Sequence, residues 1–404
     1  MSEKTAIRIG AGLTVAVAAA AWCSAAWLLV RTSVPTLQLA GLDEHRYFSA
    51  AALARSARYS HGLQVLWLTG TAATLIALVV LARRLPPAVR GMGLGRIGGA
   101  VIVGMVLLVT LWAVSLPFSL AGLWWQHHWG LGPFDVLAWL DSQWSGLAAE
   151  TVAAMAAIVL LVGLAGRYRR WWLIVAPALI AVVAAFAFGA GYLDRAAAHR
   201  LGDPRLAAEV HQLEQTERVA GTPVRVQDVS SWTKQVNAFT TGFGPSSTVV
   251  LWNTLLAGSV SQGEVRVVIA HELGHVRSRH VLKTIGWTAL LVVPLLWLLA
   301  LATRRRGGLG RPENLPSAAL VLAVLVLVSL PAQNAVSRRY EAEADWRALN
   351  ATRDPASARK LFQSFERTSL QQPSPATWDY LWLENHPTLM QRIAMTERWR
   401  ERQR

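Results

Sequence analysis

Histidines at positions 271 and 275, with Glu272 beside the first, stand in the stretch VRVVIAHELGHVRSRHVLKTIGW, residues 265–287. On a helix, positions four apart differ by only about 40° of rotation, so both imidazoles point the same way from adjacent turns and can grip one metal ion. Glu272 points about 60° away from His275, close enough to reach a water beside that metal without being a ligand. Metal-assisted hydrolysis is the chemistry such a set could do. A catalytic zinc takes three protein ligands and leaves one position open, so a third donor is needed downstream. NAVSRRYEAEADWRAL, residues 334–349, offers Glu341 and, one turn later, Asp345. Each stretch alone keeps a plainer reading: two interfacial histidines on one helix face, and a solvated acidic face of Glu341, Glu343 and Asp345 with arginine partners.

The elements that must position these residues belong to a membrane chain. Its 404 residues are 53% hydrophobic and only 16% charged, against about 25% charged in a soluble domain. Seven apolar stretches, at about 9–30, 62–82, 98–121, 148–166, 171–193, 284–302 and 317–333, approach or exceed the roughly 20 residues that cross a hydrocarbon core as helix. The first follows Lys4 and Arg8 and has the form of a signal peptide. Its run exceeds the usual signal core of about 7–15 residues, so a retained helix is expected. The net charge of +15 is nearly all arginine. The arginines cluster at hydrophobic ends, as in LARRLPPAVR, GRYRRWW and ATRRRGGLGR, the pattern of topology signals and head-group contacts. No nucleic-acid motif accompanies them, and nucleic acid is not an expected partner. Cys23 is the only cysteine and lies in the first apolar run, where a buried apolar role is expected.

Composition divides the chain into an N-terminal membrane domain, 1–193, with five spans, and a second domain, 194–404, interrupted by spans at 284–302 and 317–333. Within the second, DPRLAAEVHQLEQTERVA reads as helix, then VRVQDVS, QVNAFTTG and TVVLWNTLL as short strands with GPSS as a hairpin turn. From about Gln262 a helix carries HELGH toward the sixth span, and the tail holds two or three helices around the loop QQPSPATW. The fold class is therefore mainly α: a polytopic membrane protein of about seven transmembrane helices with a small α+β, zincin-like domain.

With the motifs placed, the chain resembles the integral-membrane zinc metallopeptidases that include the type I CAAX prenyl endopeptidases and, more distantly, HtpX. AHELGH with a further His280, SRRYEAEAD, NAFTTG…VVLWNTLL and HPTLMQRI carry the resemblance. LPFSLAGLWWQHHWGLGPFDVLAWLDSQW resembles the third-helix region of the CAAX branch and the loop after it. The resemblance implies one Zn2+ per chain, bound by His271, His275 and Glu341, with Glu272 as general base and then acid. It implies Asp345 orienting a ligand and His386 hydrogen-bonding the oxyanion; Arg392 is expected to be structural, pairing with Asp345. Substrate backbone would align on VNAFTTG as an added strand, with Asn237 as a contact and Ala238 and Phe239 beside it. His280 is not a fourth ligand on this reading: it lies about 140° round the helix from His275, so packing or hydrogen bonding is its expected role. The CAAX branch also implies an intramembrane chamber; His127 and His128 are expected to be interfacial rather than to line it.

The resulting expectation is a monomeric, multi-pass zinc endopeptidase of a cell membrane, acting on membrane-associated or lipidated polypeptides. The bias of arginine over lysine suggests a GC-rich bacterial chain, and with it processing of membrane proteins rather than of prenylated ones. Two other functions fit the same spans: a metallopeptidase-type signal transducer and a catalytically silent scaffold or transporter. The positive-inside rule puts the second, fourth and sixth loops in the cytoplasm and the catalytic segment outside, although Arg31, Arg46, Arg55 and Arg58 in the first loop oppose it.

Overall fold

The computed structural model describes residues 3–35 and 39–404. Helix α1 (Glu3–Val30) is followed by α2 (Ala50–Gly91), α3 (Gly95–His128), α4 (Val136–Arg167) and α5 (Trp172–Ala197). A short strand β1 (His199–Arg200), helix α6 (Pro204–Thr216) and strands β2 (Val224–Gln227), β3 (Ala238–Thr241) and β4 (Thr248–Trp252) come next. The one-turn α7 (Asn253–Leu256) leads to α8 (Gln262–Arg277), α9 (His280–Arg304) and α10 (Leu315–Thr352). The tail forms α11 (Pro355–Ser369), α12 (Thr377–Trp382) and α13 (Leu389–Arg402).

Among the described residues, six helices are long and apolar enough to cross a membrane; the remaining expected span falls on α1, where Ala16–Val30 is apolar but shorter. Ile76, Val152, Phe186 and Val328 stand exposed on these helices, as side chains facing lipid must and side chains facing water rarely do in such numbers. Cys23 is exposed on α1 rather than buried, because α1 lies at the edge of the bundle and an apolar side chain there needs no protein cover.

The connections sort onto two ends. Val89, Trp171, Leu309 and Leu315, from the arginine-rich loops after α2, α4 and α9 or their edges, share one apolar cluster. The loops after α1, α3 and α5 meet the sheet and α8 instead: Phe48 joins their core, Lys234 N donates to Leu131 O, and Arg195 donates to Pro245 O and Ser247 O. The core there is built by Val249 and Leu251 of β4, Leu213 of α6, Ile269 and Leu273 of α8, and Phe362 and Ile393 of the tail. The sheet order is β1-β2-β4-β3. Strands β2 and β4 are parallel, while β3 pairs antiparallel with β4, Ala238 opposite Leu251 and Thr240 opposite Val249. Strand β3 is thus an edge. Gly191 of α5 lets the hairpin turn close in, since a Cβ there would stand 2.1 Å from Ser246 O.

One expected element is corrected. The HELGH helix does not run on into the sixth span. It ends at Arg277, and Arg279 takes a left-handed conformation, φ 55°, before α9 starts at His280. Ser278 N and Arg279 N close the end of α8 on Gly274 O and Val276 O, satisfying carbonyls that the helix end would otherwise leave open. By contrast, α10 is continuous from the seventh span through Glu341 and Asp345.

Candidate active site

Helix α8 starts on a capping box: Ser261 Oγ accepts from Glu264 N, and Glu264 Oε2 accepts from Ser261 N at 2.7 Å. Two orphan donors of the first turn are met this way, which fixes where His271 and His275 fall along the helix. Helix α10 approaches closely at Gly274, where a Cβ would stand 3.2 Å from Arg347 Cβ and 3.4 Å from Ala344 Cα. The glycine of HELGH and fully buried Ala344 therefore let Glu341 reach the histidines.

His271, His275 and Glu341 each direct a donor atom to one point, all within 4.8 Å of one another. The two Nε2 atoms are 3.0 Å apart, and Glu341 Oε2 and Oε1 lie 3.2 Å from His271 Nε2 and 3.6 Å from His275 Nε2. Asp345 Oδ1 sits 2.9 Å from His271 Nδ1 and accepts its N–H, so in the neutral imidazole it is Nε2 that faces Glu341 with a lone pair. Glu341 Oε2 is buried with only imidazole nitrogens in reach, His271 Nε2 among them. Acceptors converging on acceptors are held by a proton or a metal cation between them, and two imidazoles with one carboxylate are a zinc-type donor set. The residues fit the expected metal. With no ion there, burial opposes the charged imidazole of His271, but hydrogen bonds and charge from Asp345 and Glu341 outweigh it and raise its pKa to about 10. A metal must displace that proton. Apparent zinc affinity of the metal-free protein should therefore rise by about tenfold per pH unit through the neutral range; a competition titration between pH 6.5 and 8.5 that gave a flat line would contradict this.

Glu272, buried, lies beside the metal point. Thr240 Oγ1, from the edge strand, is 2.8 Å from Glu272 Oε2 and 2.9 Å from Glu272 O. Asp345 also receives Arg392 Nε at 2.8 Å and Nη2 at 2.6 Å; the guanidinium lies 4.2 Å over the Phe362 ring. His386, in the loop between α12 and α13, is partly exposed, with Nε2 3.2 Å from Glu341 Oε2. Asn237, Ala238 and Phe239 line a cavity of about 820 Å³ that runs from the histidines down between α9 and α10 toward Trp287 and Leu291. A smaller cavity, about 200 Å³, shares His271 and Glu272 with it and is lined further by Leu361, Phe362 and Phe365. Asn237 is not free: its Oδ1 accepts from Ala238 N at 2.9 Å. His127 and His128 pack elsewhere, His127 Nδ1 3.1 Å from Gly132 O and His128 stacked on Trp124.

Two expectations are corrected here. Glu343 is no solvated side chain but is only 3% exposed. His280 does not point away from His275; because of the bend at Arg279 their rings lie 4.8 Å apart. Two residues of the site escaped the sequence reading. Thr240 lies in the NAFTTG motif, but nothing in the sequence links its side chain to Glu272. Arg338, buried, donates through Nη1 to Tyr380 O at 2.7 Å and Glu384 O at 2.6 Å. It caps the end of α12 and so fixes the loop that carries His386; its place in SRRYEAEAD was the available signal.

The sequence profile described as peptidase family M48 matches residues 201–400. A protease HtpX homolog of Acidiphilium cryptum is 34% identical over 215 residues, 52% of this chain and 69% of that protein. The uncharacterized metalloprotease YhfN of Bacillus subtilis is 30% identical over 210 residues, 49% of each chain. The chain spans about half the length of YhfN and of another HtpX homolog, from Methylibium petroleiphilum. The crystal structure of S. mikatae Ste24p superposes with a TM-score of 0.71, covering 94% of this chain and 96% of that one at 17% identity; at that identity the likeness speaks to the fold. By sequence and site together, the chain belongs to peptidase family M48.

Proposed function

We propose that the chain is a membrane-embedded zinc endopeptidase hydrolysing peptide bonds of membrane-associated or lipidated polypeptides. The observation that carries this reading is the convergence of His271, His275 and Glu341 beside a buried Glu272 held by an edge strand. Zinc bound there would supply Lewis acidity, polarising a carbonyl and making water easier to deprotonate. Asp345 keeps the proton of His271 on Nδ1, leaving Nε2 free to bind. Glu272 accepts the proton of the attacking water at its carboxylate and returns it to the leaving nitrogen. Thr240 Oγ1 holds that carboxylate in place. His386 Nε2 donates to the carbonyl oxygen as negative charge develops.

Substrate would add as a strand to β3. Asn237 O accepts from Trp252 N, so by antiparallel alternation the main-chain groups of Ala238 and Thr240 face the open edge. A substrate carbonyl would replace Asn237 Oδ1 on Ala238 N. The two cavities that share Glu272 would then take side chains on either side of the cleaved bond, the larger one extending to Trp287 and Leu291 of α9. Peptide cleavage by the detergent-purified protein, abolished by chelation and restored by zinc, supports the reading; cleavage that survives complete metal removal contradicts it.

We place residues 194–404 as the catalytic domain of a monomer, in the cell membrane with its site extracytoplasmic. The clustering of the loops bearing RR…R, RYRR and RRRGGLGR at the end remote from the site supports that orientation, and the first-loop arginines on the site's side oppose it. Ser231, between β2 and β3, is exposed. Ser231→Cys in a Cys23→Ser background should react with an impermeant maleimide in intact cells. Labelling only after lysis would reverse the orientation.

A further inference from the structure

The two metal-site histidines are steadied differently. His271 Nδ1 meets a carboxylate directly, Asp345. His275 Nδ1 meets another imidazole, His280 Nδ1, at 2.9 Å. His280 Nε2 then lies 3.0 Å from Glu343 Oε2, and Glu343 Oε1 accepts the main-chain N–H of Ser33 at 2.7 Å and its hydroxyl at 2.6 Å.

One proton arrangement satisfies all of these contacts. A neutral imidazole carries one N–H and one acceptor nitrogen. If His275 Nε2 is to face a cation bare, its proton sits on Nδ1 and is donated to His280 Nδ1. His280 must then carry its own proton on Nε2, where the Glu343 carboxylate accepts it. The direction of every hydrogen bond follows from the metal outward and ends on two donors of Ser33.

We propose that His280, Glu343 and Ser33 form a positioning arm for His275, tying the end of α1 and the segment just after it to the metal site. The arm is built rather than incidental. His280 and Glu343 are buried, and Tyr340 stacks on His280 with centroids 4.6 Å apart at 11°. The same segment is fastened twice more: Tyr340 OH donates to Leu29 O at 2.7 Å, and Lys283 Nζ to Arg31 O at 3.1 Å. The left-handed turn at Arg279 brings His280 back over His275, so a chain break between helices serves the site.

This inference rests on the zinc reading above, and the test separates the two. The full chain in detergent, stripped of metal, is titrated with Zn2+ against a chromophoric chelator and with Co2+ followed by its d–d absorption. His280→Phe keeps the stacking on Tyr340 and removes both ring nitrogens; it should weaken zinc binding about 10–100-fold and shift the cobalt band. His280→Gln, whose amide can accept from His275 and donate to Glu343, should recover most of the loss. Ser33→Ala should give a smaller loss, about fivefold, and decides the matter if the phenylalanine variant does not fold. A folded His280→Phe or Ser33→Ala variant with wild-type zinc affinity and cobalt spectrum overturns the arm, as does a glutamine variant no better than phenylalanine. Wild-type protein that binds no zinc removes the metal reading itself, and the arm with it.

Discussion

Glutamine at position 272 is expected to leave fold and metal content unchanged and to lower peptide turnover by about 10²–10⁴-fold, with KM little altered. The substitution is close to isosteric. Thr240 Oγ1, 2.8 Å from Glu272 Oε2, can still bond an amide, so the buried side chain keeps its place. What is lost is a group that can take a proton from water and give it to an amine. An interaction made only as the reaction proceeds lowers kcat without weakening substrate binding. Single-turnover cleavage of a peptide, with zinc quantified in both proteins, checks this. Equal turnover in the two would remove Glu272 from the chemistry.

Asp345→Ala should be the most damaging change to the scaffold of the site. Its carboxylate is 2% exposed and accepts from Arg392 twice and from His271 once. Removing it strands a buried guanidinium, at a cost of about 3–5 kcal/mol, and frees the His271 ring, with an expected loss of about 10–100-fold in zinc affinity. Asp345→Asn should lose less of both, since an amide oxygen can still accept from His271. Exchanging the partners, Asp345→Arg with Arg392→Asp, should not restore zinc binding: an arginine at 345 would turn N–H groups toward the Nδ1 proton of His271. Thermal unfolding with and without zinc separates the two losses. An alanine variant with wild-type stability and affinity would mean that the pair holds neither the fold nor the ligand.

The sequence shows these residues because their spacing is local. His271, Glu272 and His275 fall within five positions of one helix, and Glu341 and Asp345 are one turn apart on another. The spans are legible because each apolar run is long. The pairing of Asp345 with Arg392 was expected without geometry, and the structure places the two in bidentate contact. The features that were missed depend on tertiary structure. A left-handed arginine at 279 carries no sequence signature, so reading α8 and α9 as one helix sets His280 on the wrong side of His275. Ser33 and Glu343 meet across 310 positions, and no local pattern announces that contact. Thr240 becomes part of the site only because β3 is the edge of the sheet. Phe48, from the first loop, enters the core of the C-terminal region, which a boundary drawn on composition at residue 194 does not foresee.

The most direct test of the central claim is the metal content of the purified protein beside that of Glu341→Ala. One zinc per wild-type chain is expected, with little or none retained by the variant after dialysis against a mild chelator. Folded wild-type protein without zinc, or a Glu341→Ala variant that keeps it as firmly, would contradict the proposal that His271, His275 and Glu341 make the catalytic metal site.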